Sequence, residues 1–341
     1  MFARIVSGLI KLGLLAVIVI AGVGYLHYQR FTITPVGGKA ATVVIQRGES
    51  LQRVIDSLRA AGVDAGNDLE WQLLAAQMGV RSKMQIGEYA ITADMTPDLL
   101  LRNISTGKVI QYHFTIVEGW NMRELRAALL HAPKMHHALA DTSNIALMQQ
   151  LGRMGRQPEG RFLPETYAYT RDTSDIDLLA RAANAMDRAL ADAWTQRDPT
   201  LTLKTPDEAL TLASIVEKET GVPDERGKIA GVFVRRLQTG MKLETDPTVI
   251  YGLGGSYDGT IHKRDLYLDT PYNTYTRTGL PPTPIAMPGR AALQATMHPA
   301  PGDALYFVAS GNGGHVFSAT LAEHNKAVAR YVKLQREKQA Q

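Results

Sequence analysis

The chain has 341 residues, 45% hydrophobic and 21% charged, a balance that fits a folded protein of one large or two ordinary domains and excludes a disordered one. Its net charge of +4 is too slight and diffuse to point to nucleic acid, though it suits a neighbour of anionic lipid or an anionic polymer. With no cysteine, disulfides, thiolate catalysis and cysteine-based zinc sites are all excluded.

Residues 12–26 read LGLLAVIVIAGVGYL without a charge, and residues 5–10 extend that run across Lys11. A membrane span needs roughly 20 mostly apolar residues, so the stretch suffices if Lys11 snorkels to the headgroups. Tyr25, His27 and Tyr28 fall where an interfacial aromatic belt lies. Arg4 and Lys11 precede the run, which predicts a cytoplasmic N-terminus and places everything after residue 30 outside. A cleaved signal peptide is the alternative, but no small-x-small cleavage site follows. Residues 1–30 are therefore expected to form an uncleaved anchor.

Residues 31–41 read as a short stalk. Residues 42–45 then form a strand, Gly48 a turn, and Ser50 caps a helix with Leu51, Val54, Ile55 and Leu58 at helical spacing, closed by Gly62. A second helix spans 68–78, a strand 87–91, and a third helix 97–105. This small unit ends near residue 108. The alternation over 109–117 predicts a strand opening a second region, 109–341, dominated by helical patterns to about residue 240. Beyond it come a proline-rich stretch, a short strand at 304–308 and a helix over 321–335. Gly311-Asn312-Gly313-Gly314 lacks the lysine and helix context of a phosphate loop and reads as a hairpin turn.

The most informative helix follows Thr205. Thr205 caps it, Pro206 suits its first position, and Glu208 completes a capping box. The helix reads on to Glu219 and stops at Gly221, with Pro223 beyond. At about 100° per residue, Leu212, Ile215 and Val216 define an apolar face with Glu219 near its centre. Glu217 is expected on the opposite side with Ser214 and Lys218, facing solvent. A carboxyl on a buried face at the negative end of a helix dipole keeps its proton towards neutral pH. Such a group suits general-acid cleavage of a glycosidic bond. The alternative is that Glu219 pairs with an arginine and only holds the fold.

The polar and aromatic clusters Thr245-Asp246-Pro247-Thr248, Tyr251, Pro271-Tyr272-Asn273-Thr274-Tyr275 and Gly279-Leu280-Pro281-Pro282 are of the kind that line sugar clefts. Each could equally be plain loop structure. The nine histidines include no H-E-x-x-H helix, so no metal site is expected, and no G-x-S-x-G elbow suggests a serine hydrolase.

The runs Leu212-Ala213-Ser214-Ile215-Val216-Glu217-Lys218-Glu219-Thr220 and Leu243-Glu244-Thr245-Asp246-Pro247-Thr248-Val249-Ile250-Tyr251-Gly252 resemble the YceG-like endolytic murein transglycosylases, the G-type membrane-bound lytic transglycosylases. So do Val117-Glu118-Gly119-Trp120, Glu159-Gly160-Arg161-Phe162-Leu163-Pro164-Glu165-Thr166-Tyr167, Thr270 to Tyr275, Gly279 to Pro282, Gly313-Gly314-His315-Val316-Phe317 and His324-Asn325. The chain departs modestly, with Glu244 where Gln is common and Arg161 and Leu163 where aromatic residues are usual.

The resemblance implies an α+β protein: an N-terminal transmembrane helix, a small LysM-like domain over 31–108, and a mostly helical catalytic domain over 109–341, distantly like other lytic transglycosylases. It implies that Glu219 is the essential acid–base residue. The activity implied is cleavage within glycan strands of the β-1,4 bond between N-acetylmuramic acid and N-acetylglucosamine, leaving a 1,6-anhydro end and terminating nascent strands. Thr245, Asp246, Tyr251, Tyr272, Asn273 and Thr274 are the expected substrate contacts, with Asp246 alternatively a second carboxylate favouring hydrolysis. The expected setting is the inner membrane with the catalytic domain in the periplasm. The expected partners are glycan strands, the membrane and penicillin-binding protein synthases, with no cofactor and no nucleic acid. The rival from another class is a catalytically silent glycan-binding scaffold.

Overall fold

A computed structural model describes residues 2–140 and 142–339. The chain divides into two compact units, one running to Tyr112 and including Thr170–Asp172, the other comprising His113–Tyr169 and the chain from Thr173.

The first unit begins with α1 (Phe2–Ile33), which over Arg4–Ile33 is long and apolar enough to cross a membrane. Strand β1 (Ala41–Ile45), helices α2 (Leu51–Ala60) and α3 (Asp68–Gln77), strand β2 (Gly87–Ile91) and helix α4 (Pro97–Thr106) follow. The two strands pair antiparallel with Val43 opposite Tyr89. Their alternation turns Val43, Ile45, Tyr89 and Ile91 into a core shared with Val54, Ile55 and Leu58 of α2 and with Trp71 and Leu74 of α3. Ser50, Asn67 and Thr96 each cap the helix they precede, accepting a backbone N–H three residues on.

The expected stalk is not one. The helix α1 continues to Ile33, and Phe31 and Val36 are buried in this core. Phe31 meets Trp71 edge to face at 5.4 Å, so burying a large aromatic side chain outweighs the freedom of a linker.

The second unit starts within β3 (Tyr112–Thr115), at His113, and this strand is much shorter than the one expected over 109–117. The reason is local: Ile110 N–H is already spent on the Glu88 carbonyl at 2.7 Å, within the first unit. After α5 (Met122–Leu129) and α6 (Asn144–Gln150), β4 (Thr166–Tyr169) pairs with β3. The helical core is formed by α7 (Asp175–Thr195), α8 (Pro206–Glu219) and α9 (Pro223–Gln238). The short helices α10 (Asp246–Leu253) and α11 (Lys263–Tyr267) come next, then α12 (Arg290–Met297), the hairpin β5 (Tyr306–Ala309) and β6 (His315–Ser318), and α13 (Leu321–Gln339). The glycine-rich hairpin turn reads correctly from sequence, since Ala309 pairs antiparallel with His315 across it.

Helix α8 is the centre of this unit and packs against α7, α9 and α12. Leu210, Leu212, Ile215 and Val216 are all fully buried, each worth roughly 1.5–3 kcal/mol relative to exposure. Thr205 accepts the Glu208 N–H at 3.1 Å as expected. The Glu208 carboxylate reaches past the cap to Lys204 N–H at 2.6 Å, so the reciprocal half of the expected capping box sits one residue further out.

Candidate active site

The last residue of α8 is Glu219, and the chain then turns extended at Thr220 before Pro223 opens α9. The turn is short because Thr220 Oγ1 accepts Val222 N–H at 3.0 Å, and Pro223 needs no amide partner at the start of a helix. The Glu219 carboxyl therefore lies where α8 stops, at the mouth of a cleft of about 410 Å³. Lining residues come from three directions: Leu243 to Asp246 with Tyr275, Tyr306 to Val308 on β5, and Leu321, His324 and Val328 on α13.

Glu219 is only partly covered as a residue, because it opens onto the cleft, yet protein packs closely around the carboxyl itself. Burial pushes its pKa up to about 7. The Thr245 hydroxyl donates to Glu219 Oε1 and pulls the other way, the charge of Asp246 raises it further, and His315 lowers it. The His315 ring is held by Glu225, Nδ1 to Oε2 at 2.7 Å, while its backbone N–H reaches Oε1 of the same carboxylate at 2.7 Å.

The cleft walls are rigidly tied. The Arg236 guanidinium donates to the carbonyls of Leu305 (2.7 Å), Lys242 (3.0 Å) and Leu243 (3.0 Å), and to the Glu244 carboxylate (3.2 Å). It also lies over the Tyr306 ring at 5.1 Å, and His324 stacks on that ring from 5.2 Å. Glu244 adopts φ +52, a left-handed conformation uncommon outside glycine, directly beside Thr245. Phe233 of α9 meets Phe307 edge to face at 5.7 Å, holding the hairpin against the helical core.

Glu217 does not face solvent. Its side chain is only 6% exposed, and its Oε2 accepts Gly289 N–H at 2.9 Å. Ser214 is fully buried and accepts Ile285 N–H at 3.0 Å. The polar side of α8 is thus the rail on which the extended segment 284–289 docks, and only Lys218 of the trio remains exposed. Burial raises the Glu217 pKa, opposed by the Gly289 bond. Glu217→Ala leaves that N–H without its acceptor and Arg226, 4.0 Å away, without its counter-charge. We expect a stability loss of roughly 1–3 kcal/mol in denaturant unfolding, with Glu217→Gln milder.

Of the six expected substrate contacts, Thr245 and Asp246 share the cleft with Glu219, and Tyr275 Oη donates to Asp246 Oδ1 at 2.7 Å. The others are engaged elsewhere. Asn273 is 1% exposed, its amide donating to the carbonyls of Asp265, Leu266 and Leu268. Thr274 Oγ1 accepts Thr245 N–H at 3.1 Å and bonds Thr248 Oγ1 at 2.8 Å, so it shapes the cleft from behind. Tyr251 Oη donates to Glu159 at 2.9 Å, and Tyr272 Oη pairs with Thr283 Oγ1 at 2.9 Å. Sequence reasoning missed Tyr306, Phe307 and His324 as cleft residues, and the Glu225–His315 pair. The late Gly313 to Phe317 and His324-Asn325 motifs were the available signal.

Another buried carboxyl, Glu159, lies in this unit at 6% exposure, accepting Met122 N–H at 3.1 Å at each oxygen. Burial pushes its pKa up to about 7 as well.

These elements define a mostly helical α+β protein with small two-stranded sheets, an N-terminal apolar helix, and a polar–aromatic cleft that Glu219 lines together with Glu244 and Asp246. The model of the YceG-like family matches residues 43–330, and the chain belongs to that family. It is 29% identical over 335 residues to the endolytic murein transglycosylase of Bacillus subtilis (strain 168), covering 92% of each chain. It is 28% identical over 370 residues to the protein of the same name from Streptococcus pneumoniae serotype 2 (strain D39 / NCTC 7466), covering 97% of this chain but only 65% of that relative. The 2.6 Å crystal structure of a yceG-like protein, lmo1499 from Listeria monocytogenes, aligns with TM-score 0.55 at 29% identity, over 84% of this chain and 98% of that one.

Proposed function

We propose that this chain is an endolytic murein transglycosylase that cleaves peptidoglycan glycan strands, with Glu219 as its acid–base residue. The observation that carries this is a carboxyl with a pKa of about 7 opening onto a cleft walled by tyrosine, phenylalanine and histidine rings. The names of the B. subtilis and S. pneumoniae relatives support the same substrate and reaction.

In this reading Glu219 gives its proton to the oxygen of the β-1,4 bond between N-acetylmuramic acid and N-acetylglucosamine as that bond breaks. The resulting carboxylate takes the proton from the C6 hydroxyl of the muramic acid, and that oxygen attacks the anomeric carbon to close a 1,6-anhydro ring. The nucleophile belongs to the substrate, so no second carboxylate is required, unlike an ordinary glycosidase pair. Thr245 orients the Glu219 carboxyl, and the aromatic rings of the cleft offer stacking faces to sugars.

The apolar helix α1 anchors the chain in the inner membrane, N-terminus cytoplasmic, with the rest of the first unit and the second unit in the periplasm, near the nascent strands that penicillin-binding protein synthases extrude. The first unit, with two helices between paired antiparallel strands, is the LysM-like domain, and cleavage at Glu219 in the second unit terminates strand growth. A second reading, hydrolysis with Asp246 as base, is favoured by Asp246 sharing the cleft and raising the proton affinity of Glu219. Mass spectrometry of the cleaved ends separates the two: an anhydro end supports transglycosylation, a reducing end hydrolysis, and no product the scaffold.

The pH dependence has a definite sign. The free enzyme must start protonated at Glu219, so kcat/KM is expected to fall up to about tenfold per pH unit above about 7. Stability moves the same way. Glu159 and Glu219 have folded-state values of about 7, above the usual carboxylate value, so between those limits the folded state binds more protons than the unfolded one. The stabilising contribution is complete below the unfolded value and is lost as pH rises through about 7. Unfolding midpoints measured across this window should fall with pH, and Glu159→Gln and Glu219→Gln should each flatten that slope.

A further inference from the structure

We propose that the first unit rests on the bilayer surface through the exposed leucine face of α3, with lipid as its partner; this rests on α1 being a membrane anchor. Helix α3 is apolar on two sides. Trp71, Leu74 and Ala75 face the core, whereas Leu69 is 68% and Leu73 55% exposed one turn apart, with Ala76 exposed beside them. Scattered exposed leucines are ordinary on soluble surfaces, so position decides.

The position follows from how α3 meets α1. Trp71 contacts Phe31. About 100° round α3, Glu70 reaches His27 at 3.4 Å and Gln77 accepts Tyr28 Oη at 2.7 Å. Turning round α3 from Trp71 to Glu70 and Gln77 thus follows α1 back towards its apolar part. The next residues in that rotation are Leu73 and then Leu69, and the next on α1 are Leu26 and Tyr25, both exposed. Residues 5–26 of α1 make about 22 residues, or roughly 33 Å of helix. That matches a hydrocarbon core of roughly 30 Å, so its outer boundary falls within a turn of His27. The leucine face is therefore held at headgroup depth and turned towards the acyl chains, the placement of an interfacial helix face.

The absence of cysteine allows single-site labelling of the full chain. Leu73→Cys, Leu15→Cys and Arg53→Cys are each coupled to a polarity-sensitive bimane. Each is then reconstituted in phosphatidylethanolamine–phosphatidylglycerol vesicles with or without brominated acyl chains. Arg53 is exposed on α2 and reports the aqueous setting. We expect bromine to quench the Leu73 label several-fold more than the Arg53 label, with a blue-shifted emission. Quenching equal to that at Arg53, while the Leu15 label is strongly quenched, overturns the proposal and leaves the anchor standing. An unquenched Leu15 label removes the anchor and the proposal with it. A blue shift at Leu73 that scales with protein density and ignores bromine indicates a second copy, and likewise overturns it.

Discussion

Glu219→Gln is expected to lower cleavage of purified glycan strands by at least about 10²–10⁴-fold, the range of a single general acid–base group, while the fold stays intact. The amide has the shape of the carboxyl and still accepts the Thr245 hydroxyl, so the walls set by Arg236 and the β5–β6 hairpin have no cause to move. What it lacks is a proton to release to a leaving oxygen. Above about pH 7 the variant should be at least as stable as the parent, because the parent then carries a charge in a poorly hydrated position. Thermal unfolding and turnover, measured on the same preparations, check both halves. Activity near that of the parent would remove Glu219 from the mechanism.

Gly160→Ala is expected to produce a large loss of stability. Gly160 has φ +76, and a Cβ there would stand 2.5 Å from Pro284 Cβ and 2.7 Å from Pro284 Cγ. The left-handed conformation costs an alanine roughly 1–2 kcal/mol, and overpacking against a rigid ring adds roughly 1–3 kcal/mol. The consequence reaches the site through two contacts. Glu159, next in the chain, holds Tyr251 of α10, and Pro284 begins the segment that docks along Ser214 and Glu217 of α8. Denaturant unfolding should show a midpoint shift of this size, together with reduced cleavage. A variant within about 0.5 kcal/mol of the parent, the range of ordinary surface changes, would mean that this turn is not tightly seated.

How much the sequence reveals depends on how local the determining contact is. The ends of α8 are legible, because Thr205, Pro206 and the stop before Pro223 act within a turn of the helix. The position of Glu219 beside Leu212, Ile215 and Val216 is a matter of spacing along α8, whereas the groups that meet its carboxyl, Thr245, Asp246 and His315, come from distant segments that no local pattern announces. The environment of Glu217 is not, since the segment that covers it lies some seventy residues further on and has no periodicity to announce its path. The substrate-contact reading of Asn273 and Thr274 meets a related obstacle: polar residues in a proline-rich loop can serve a ligand or the loop itself, and here their hydrogen bonds run to backbone and to Thr248. The aromatic wall from β5 and α13 becomes visible only once the hairpin is docked on Phe233. Phe31 shows the converse, a core residue hidden in an apparent linker because its partner Trp71 sits on another helix.

The central claim is that one proton-bearing carboxyl cuts the strand with the substrate's own hydroxyl as nucleophile. Mass spectrometry of the new ends, after incubating the full chain with purified glycan strands, tests it most directly. The account predicts 1,6-anhydro-muramic ends on fragments of many lengths, absent with Glu219→Gln. Reducing ends, or anhydro ends that persist in that variant, would contradict it.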